Sequence, residues 1–202
     1  MQRLVLASNN AGKLREFASL LARKQFELVT QASLGIGPCA EPHVSFIENA
    51  LEKARHAAMH SGLAALADDS GICVPMLNGA PGVLSARYAA SLGSGPWSID
   101  SSVPVDQQNN LALLAQLKAP VTPAYYYCVL VLVRHPKDPQ PVIAQGYWHG
   151  AVQMQAAGTD GFGYDPYFYI ASENQTVAQM PLDKKNQLSH RAQALRELIA
   201  QL

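Results

Sequence analysis

The chain has 202 residues, 15 Lys plus Arg against 15 Asp plus Glu, and a hydrophobic content of 49%. That composition excludes a disordered chain, and the length suits one substantial core better than two. The absence of a basic excess argues against a nucleic-acid polymer as partner, whereas a small anion needs only a local cluster of positive groups.

Residues 1–7 form an apolar burst too brief for a signal-peptide core. Residues 3–7 read as a buried first strand, followed by the polar turn Ser8-Asn9-Asn10-Ala11-Gly12. A helical stripe through Leu14, Phe17, Ala18 and Leu21 then predicts a helix over 13–23, and 26–30 a second strand. This strand–turn–helix–strand order points to an α/β fold with a partly parallel sheet.

Residues 31–44 have no period and read as a loop. Ser45-Phe46-Ile47-Glu48 has the form of a capping box, in which Ser45 and Glu48 satisfy each other's free backbone donors. The helix that it opens runs to about residue 60 and ends before Gly62. Residues 63–67 predict a short central strand leading into Asp68-Asp69-Ser70-Gly71. Gly79-Ala80-Pro81-Gly82 marks a turn, and the Ser/Gly-rich segment 90–104 an exposed loop. Residues 106–117 are helical in pattern, 125–134 and 142–148 form a strand hairpin, and 189–202 form the last helix. The most apolar run, 125–133, is about half the ~20 residues that a membrane helix requires. Three cysteines, Cys39, Cys73 and Cys128, are an odd number without metal-ligand spacing, so a reducing cytoplasm is the expected location.

Five constellations carry chemistry. Ser8-Asn9-Asn10-Ala11-Gly12-Lys13 joins a strand to a helix, so free N–H groups and the Lys13 charge are available to an anion; an ordinary capped turn reads equally well. The glycine spacing is not that of a Walker A loop. Asp68-Asp69 leaves a strand as two adjacent carboxylates, a pairing that needs a nearby cation or proton. Alternation sends them to opposite faces, and a magnesium ion takes one or two such carboxylates beside substrate phosphates; a capped turn is the plainer alternative. Glu41, in the irregular loop, is either a second metal ligand or a solvated carboxylate. Lys53 and Arg55 read first as solvent-exposed helix residues.

The fourth constellation, Gly158 to Pro166, surrounds Phe162 and Tyr164 with glycines, as suits a loop that stacks on a flat base; a turn with a core aromatic at its edge is the alternative. In the fifth, Lys184-Lys185 precedes Ser189-His190-Arg191. A cation at a helix start is unfavourably placed for the dipole, so Arg191 calls for a phosphate, carboxylate or keto oxygen as partner. Phosphate turn, acidic ligands, stacking loop and basic cluster together make a nucleotide site.

The chain resembles the inosine triphosphate pyrophosphatases, which remove ITP, dITP and XTP from the nucleotide pool. The matching pieces are Ser8-x-Asn10-x-x-Lys13, Phe46-Ile47-Glu48-Asn49-Ala50 with Lys53-Ala54, Ala67-Asp68-Asp69-Ser70-Gly71, Gly79-Ala80-Pro81-Gly82, Ser85-Ala86-Arg87-Tyr88, Gly161-Phe162-Gly163-Tyr164-Asp165-Pro166 and Ser189-His190-Arg191. The resemblance implies a mixed α/β fold, a single domain over 1–202 with a central mixed sheet, two lobes and a substrate cleft, and a homodimer. It also implies magnesium-dependent release of pyrophosphate from a small-molecule nucleotide. Residue by residue, it assigns Ser8, Asn9, Asn10, Ala11, Gly12 and Lys13 to the triphosphate, and Glu41 and Asp69 to the metal. Asp69 is the proton acceptor, Lys13 a catalytic cation, and Lys53 and Ser70 are substrate contacts. Phe162, Gly163, Tyr164 and Asp165 form the base loop, with Lys185, His190 and Arg191 on the far side of the base.

The chain departs from the family at Asn9, where glycine is common, in the longer loop 90–104, and at Met180-Pro181, where a more regular helix is typical. A pyrophosphatase for pyrimidine triphosphates and a nucleotide sensor without hydrolysis are the competing readings. The Phe162 loop and Ser189-His190-Arg191 disfavour the first, and the paired aspartates the second.

Overall fold

The structure, a computed structural model, describes residues 2–8, 17, 26–95, 97 and 102–202. Among the described residues there are seven strands, β1 (Gln2–Leu6), β2 (Phe26–Thr30), β3 (Ala64–Cys73), β4 (Val121–Val133), β5 (Val142–Gln153), β6 (Phe168–Ile170) and β7 (Gln175–Thr176). They form one sheet in the order β2-β1-β3-β4-β5-β6-β7. Strand β1 is parallel to both β2 and β3, while β6 is antiparallel to both β5 and β7. The sheet is therefore mixed and the class α/β, as the element order predicts. Among the described residues the bounded α-helices are α1 (Phe46–Ser61), α2 (Tyr88–Ser91), α3 (Val105–Gln116), α4 (Leu182–Leu188) and α5 (His190–Ala200).

The chain divides into two compact units. The first comprises Met1–Asp69, Cys128–Gly146 and Ser189–Leu202, and the second Ser70–Tyr127 and Tyr147–Leu188.

In the first unit, alternation along the strands builds one core layer. Leu4, Leu6, Ala64, Leu66, Leu130 and Leu132 bury their side chains with Ala194, Leu195 and Leu198 of α5. Val5 and Ala65, out of phase with that layer, are also fully buried. Helix α1 packs against β1 and buries a stripe of small residues, Ala50, Ala54, Ala57 and Ala58. Ser45 caps α1 by accepting from Glu48 N, and Gly62 ends it in the left-handed region at φ 68°. The box is not reciprocal as predicted, because the Glu48 carboxylate takes the Ser45 hydroxyl instead of its backbone N–H. Phe17, the one described residue of the predicted helix over 13–23, is helical and buried.

The second unit has its own core, in which Ile72, Val74, Leu113, Tyr126, Trp148, Phe168 and Met180 are buried together. Four strands or helices were not legible from periodicity: β6, β7, α2 and α4 are only 3, 2, 4 and 7 residues long, and α2 runs into the start of the segment 90–104 read as a loop.

The largest correction concerns β3. The sequence reading ends this strand before the aspartate pair, but it continues through Asp68 and Asp69 to Cys73. Ile72, Cys73 and Val74 are buried, so apolar burial beyond the acidic pair carries the strand onward. Strands β4 and β5 likewise extend beyond the predicted 125–134 and 142–148. In β4 the added residues keep the alternation, with Thr122 and Ala124 inward and Val121 and Pro123 outward.

Candidate active site

Asn49 and Lys53 lie one turn apart on the same face of α1. Lys53 Nζ is 2.6 Å from Glu41 Oε1 and 3.3 Å from Asp69 Oδ1. Asn49 is fully buried and works in two directions. Its side chain accepts from His43 N at 3.0 Å and donates to His43 O at 3.1 Å, which fixes the loop just after Glu41. The same Nδ2 also donates to Asp69 Oδ2 at 3.4 Å. Helix α1 thus presents two carboxylates from distant parts of the chain to one ammonium group. Burial alone would lower the Lys53 pKa, but the charges of Asp69, Asp68 and Glu41 outweigh it and hold the group above its ordinary value.

Lys53 is therefore not the solvent-exposed residue that its position on a helix suggests, and Glu41 is not a freely solvated loop carboxylate. Arg55, by contrast, is exposed as expected. Two converging carboxylates offer hard oxygen donors in the number that Mg2+ accepts when waters and phosphates fill its other positions. No cluster of three or more His, Cys, Asp or Glu ligands occurs among the described residues.

Asp68 points away from this group, as strand alternation requires. Its Oδ2 lies 3.8 Å from Arg191 Nε, with both side chains almost wholly buried. A carboxylate thus supplies the partner that the placement of Arg191 in the first turn of α5 calls for. Ser189 caps this helix, accepting from Ala192 N at 3.2 Å, and His190 is buried beside it. Strand β5 runs so close to this helix start that a Cβ on Gly146 would collide with the His190 carbonyl. Ser8, half-buried, follows β1. Asn9, Asn10, Ala11, Gly12 and Lys13 lie outside the described residues.

In the second unit the glycine-rich loop is organised by Asp165. This buried carboxylate accepts from Tyr126 OH at 3.1 Å, Phe162 N at 3.1 Å and Lys185 Nζ at 2.9 Å. Lys185 also stands 4.8 Å from the centroid of the Phe162 ring, a cation–π distance. The structure thus brings Phe162, Asp165 and Lys185 together, although Lys185 follows the irregular Met180-Pro181 step. Gly163, at φ 63°, donates to Asp106 at 2.8 Å and accepts from Asn110 at 2.9 Å.

Tyr164 behaves differently from its neighbours. It is a buried member of the core and donates its hydroxyl to Ser85 O at 2.8 Å. Burial pushes its pKa well above the usual tyrosine value. The reading of a core aromatic at the loop's edge holds for Tyr164, while Phe162 is only partly buried. Ser70, half-buried, sits in β3 beside Gly71, where any Cβ would collide with Ser85 and the Gly82 carbonyl.

A model of the Ham1 family matches residues 4–201. The chain belongs to the Ham1 family. A dITP/XTP pyrophosphatase of Neisseria meningitidis is 52% identical over 202 residues, covering 100% of this chain and 96% of the relative. One from Bordetella parapertussis is 51% identical over 203 residues, covering 100% and 92%. The solved structure of a HAM1 protein from Coxiella burnetii superimposes with a TM-score of 0.85 at 38% identity, covering 99% of this chain and 98% of that one.

Several residues of this Ham1 chain that shape the two clusters were not among the predicted site residues. Asn49 could have been found from its four-residue spacing to Lys53. Tyr126, Asp106 and Asn110 carry no such signal, because only the folded chain brings them to the loop at 162–165.

Proposed function

We propose that this chain hydrolyses deaminated purine nucleoside triphosphates, ITP, dITP and XTP, to the nucleoside monophosphate and pyrophosphate. The observation that carries the reading is the convergence of Glu41 and Asp69 on Lys53, a carboxylate pair suited to phosphate chemistry. The names of its relatives in the Ham1 family agree with it.

In this reading Glu41 and Asp69 hold Mg2+, which when bound lowers the pKa of a coordinated water and screens phosphate charge. Asp69 takes the proton of the water that attacks the α-phosphorus. Lys53 offsets the repulsion between the two carboxylates, and Asn49 holds the Glu41 loop and Asp69 in register. Ser8 to Lys13 bind the triphosphate, with Lys13 meeting the charge that gathers on the leaving pyrophosphate. Ser70 is a further substrate contact.

Phe162 offers the partly buried ring on which a purine stacks. Gly163 and Asp165 hold that loop in shape, Tyr164 anchors it in the core, and Lys185 stands over one face of the Phe162 ring, leaving the other to the base. His190 and Arg191 are assigned to the base by the family resemblance. A donor such as Arg191 pairs with the 6-keto oxygen of hypoxanthine and xanthine, whereas adenine would set donor against donor. The same reading expects a homodimer in the cytoplasm, in keeping with an odd number of cysteines. No helix among the described residues is long and apolar enough to cross a membrane.

The test is release of pyrophosphate and orthophosphate from ITP, XTP, GTP, ATP, dTTP and UTP, with and without Mg2+. Pyrophosphate from ITP and XTP alone, and only with the metal, is expected. Preference for a pyrimidine would overturn the base assignment, and absence of turnover would leave a nucleotide sensor.

A further inference from the structure

Helix α1 carries a polar stripe at positions 49, 53, 56 and 60, one residue per turn along a single face. The site described above uses Asn49 and Lys53. It makes no use of His56 and His60, which form a pair of their own. His60 is exposed and His56 half-buried, and their ring centroids lie 4.3 Å apart with a tilt of 43°.

The geometry points to a transition-metal site at His56 and His60, taking Ni2+ or Cu2+ through the two imidazoles and leaving the remaining positions to water.

Three observations carry this assignment. The first is the spacing of the pair, since residues four apart on a helix project from the same face. The second is the hydrogen bonding of each ring. His60 Nδ1 is 2.8 Å from His56 O. A carbonyl only accepts, so this nitrogen bears the proton, and the lone pair of His60 sits on Nε2, free to ligate. Metal-bound histidines are typically braced in this way, the second ring N–H being tied to a carbonyl. His56 Nδ1 makes no hydrogen bond, so nothing at that nitrogen fixes the tautomer of the ring.

The third observation is the ring separation. A metal about 2.1 Å from an imidazole nitrogen lies about 3.2 Å from the ring centroid. Two imidazoles at about 90° around one ion then have centroids about 4.5 Å apart, and at a tetrahedral angle about 5.2 Å. The observed 4.3 Å is short enough for one ion to reach both rings, and two nitrogen donors suit Ni2+ and Cu2+, which stand high in the affinity order of the divalent first-row metals. With no third His, Cys, Asp or Glu ligand in reach among the described residues, the ion stays open to solvent and exchangeable. Mg2+, a hard cation that prefers oxygen, does not compete for this pair.

The test uses the untagged full-length protein and titrates NiCl2 or CuSO4 by calorimetry in the presence of excess Mg2+. The wild type is expected to take one equivalent. His60→Gln, at an exposed position that leaves the fold intact, weakens that binding about tenfold or more, because chelation by the pair is lost. His56→Gln does the same, and His149→Gln, at another exposed histidine, leaves it unchanged. Glu41→Gln also leaves it unchanged, which separates this site from the carboxylates. Pyrophosphate release with Mg2+ is the same in His60→Gln as in wild type. Wild-type affinity in His60→Gln, or no uptake of Ni2+ or Cu2+ by the wild type, would overturn the assignment.

Discussion

Lys53 Nζ lies 3.3 Å from Asp69 Oδ1, with side chains only 11% and 7% exposed. Breaking a buried pair by removing one member costs about 3 kcal/mol or more, because the remaining charge has lost its compensation. Lys53→Met should therefore lower the free energy of unfolding by about that amount and abolish turnover, read from urea titrations and pyrophosphate release. The pH dependence has a definite sign. A lysine raised above its ordinary 10.5 stabilises fully below that value and loses its contribution as pH climbs through the raised one. The stability gap between wild type and Lys53→Met should stay constant around neutral pH and close as pH climbs into the strongly alkaline range.

Asp69→Asn keeps the shape of the side chain and removes the proposed proton acceptor. Turnover should fall about 100-fold or more, while thermal melting followed by circular dichroism stays close to wild type, since Glu41 still pairs with Lys53. Near-normal turnover would refute the role given to Asp69.

Asp68→Asn should give the opposite profile. It weakens the compensation of the buried Arg191 guanidinium, so stability drops by about 3 kcal/mol. A double-mutant cycle with Arg191→Met should show a coupling energy of about 1 kcal/mol or more. Additive losses would show that the two residues act independently.

Phe162 and Tyr164, two residues apart, should separate binding from stability. Phe162→Ala removes the stacking ring and should raise the KM for ITP about tenfold or more. Tyr164→Phe removes only the hydrogen bond to Ser85 O and should cost about 1 kcal/mol of stability with KM unchanged. Equal effects on KM would place both rings at the base.

Much of the fold was legible because its signals are local. The Ser45 cap and Gly62 bound α1 almost to the residue, and short apolar runs marked the longer strands. The aspartate pair misled because adjacent carboxylates look like the end of a strand. What carries β3 through them, Lys53 on one face and Arg191 on the other, comes from two separate helices, the one just before the strand and the one at the end of the chain. Lys53 itself looked like an ordinary surface lysine, since nothing local announces that Glu41 and Asp69 will meet it. Tyr164 and Phe162 share one glycine-rich loop, yet only the packed core decides which ring is withdrawn and which is offered. The short elements β6, β7, α2 and α4 fall below the length at which any period can be read.

Lys53 also bears on how the protein would behave without the proposed Mg2+. A site built only of carboxylates tends to splay apart until a cation arrives, which ties folding to supply. Here the cation is covalently part of the chain, so chelation should silence the enzyme while leaving it folded. Returning the ion should then restore activity at once, with no refolding in between.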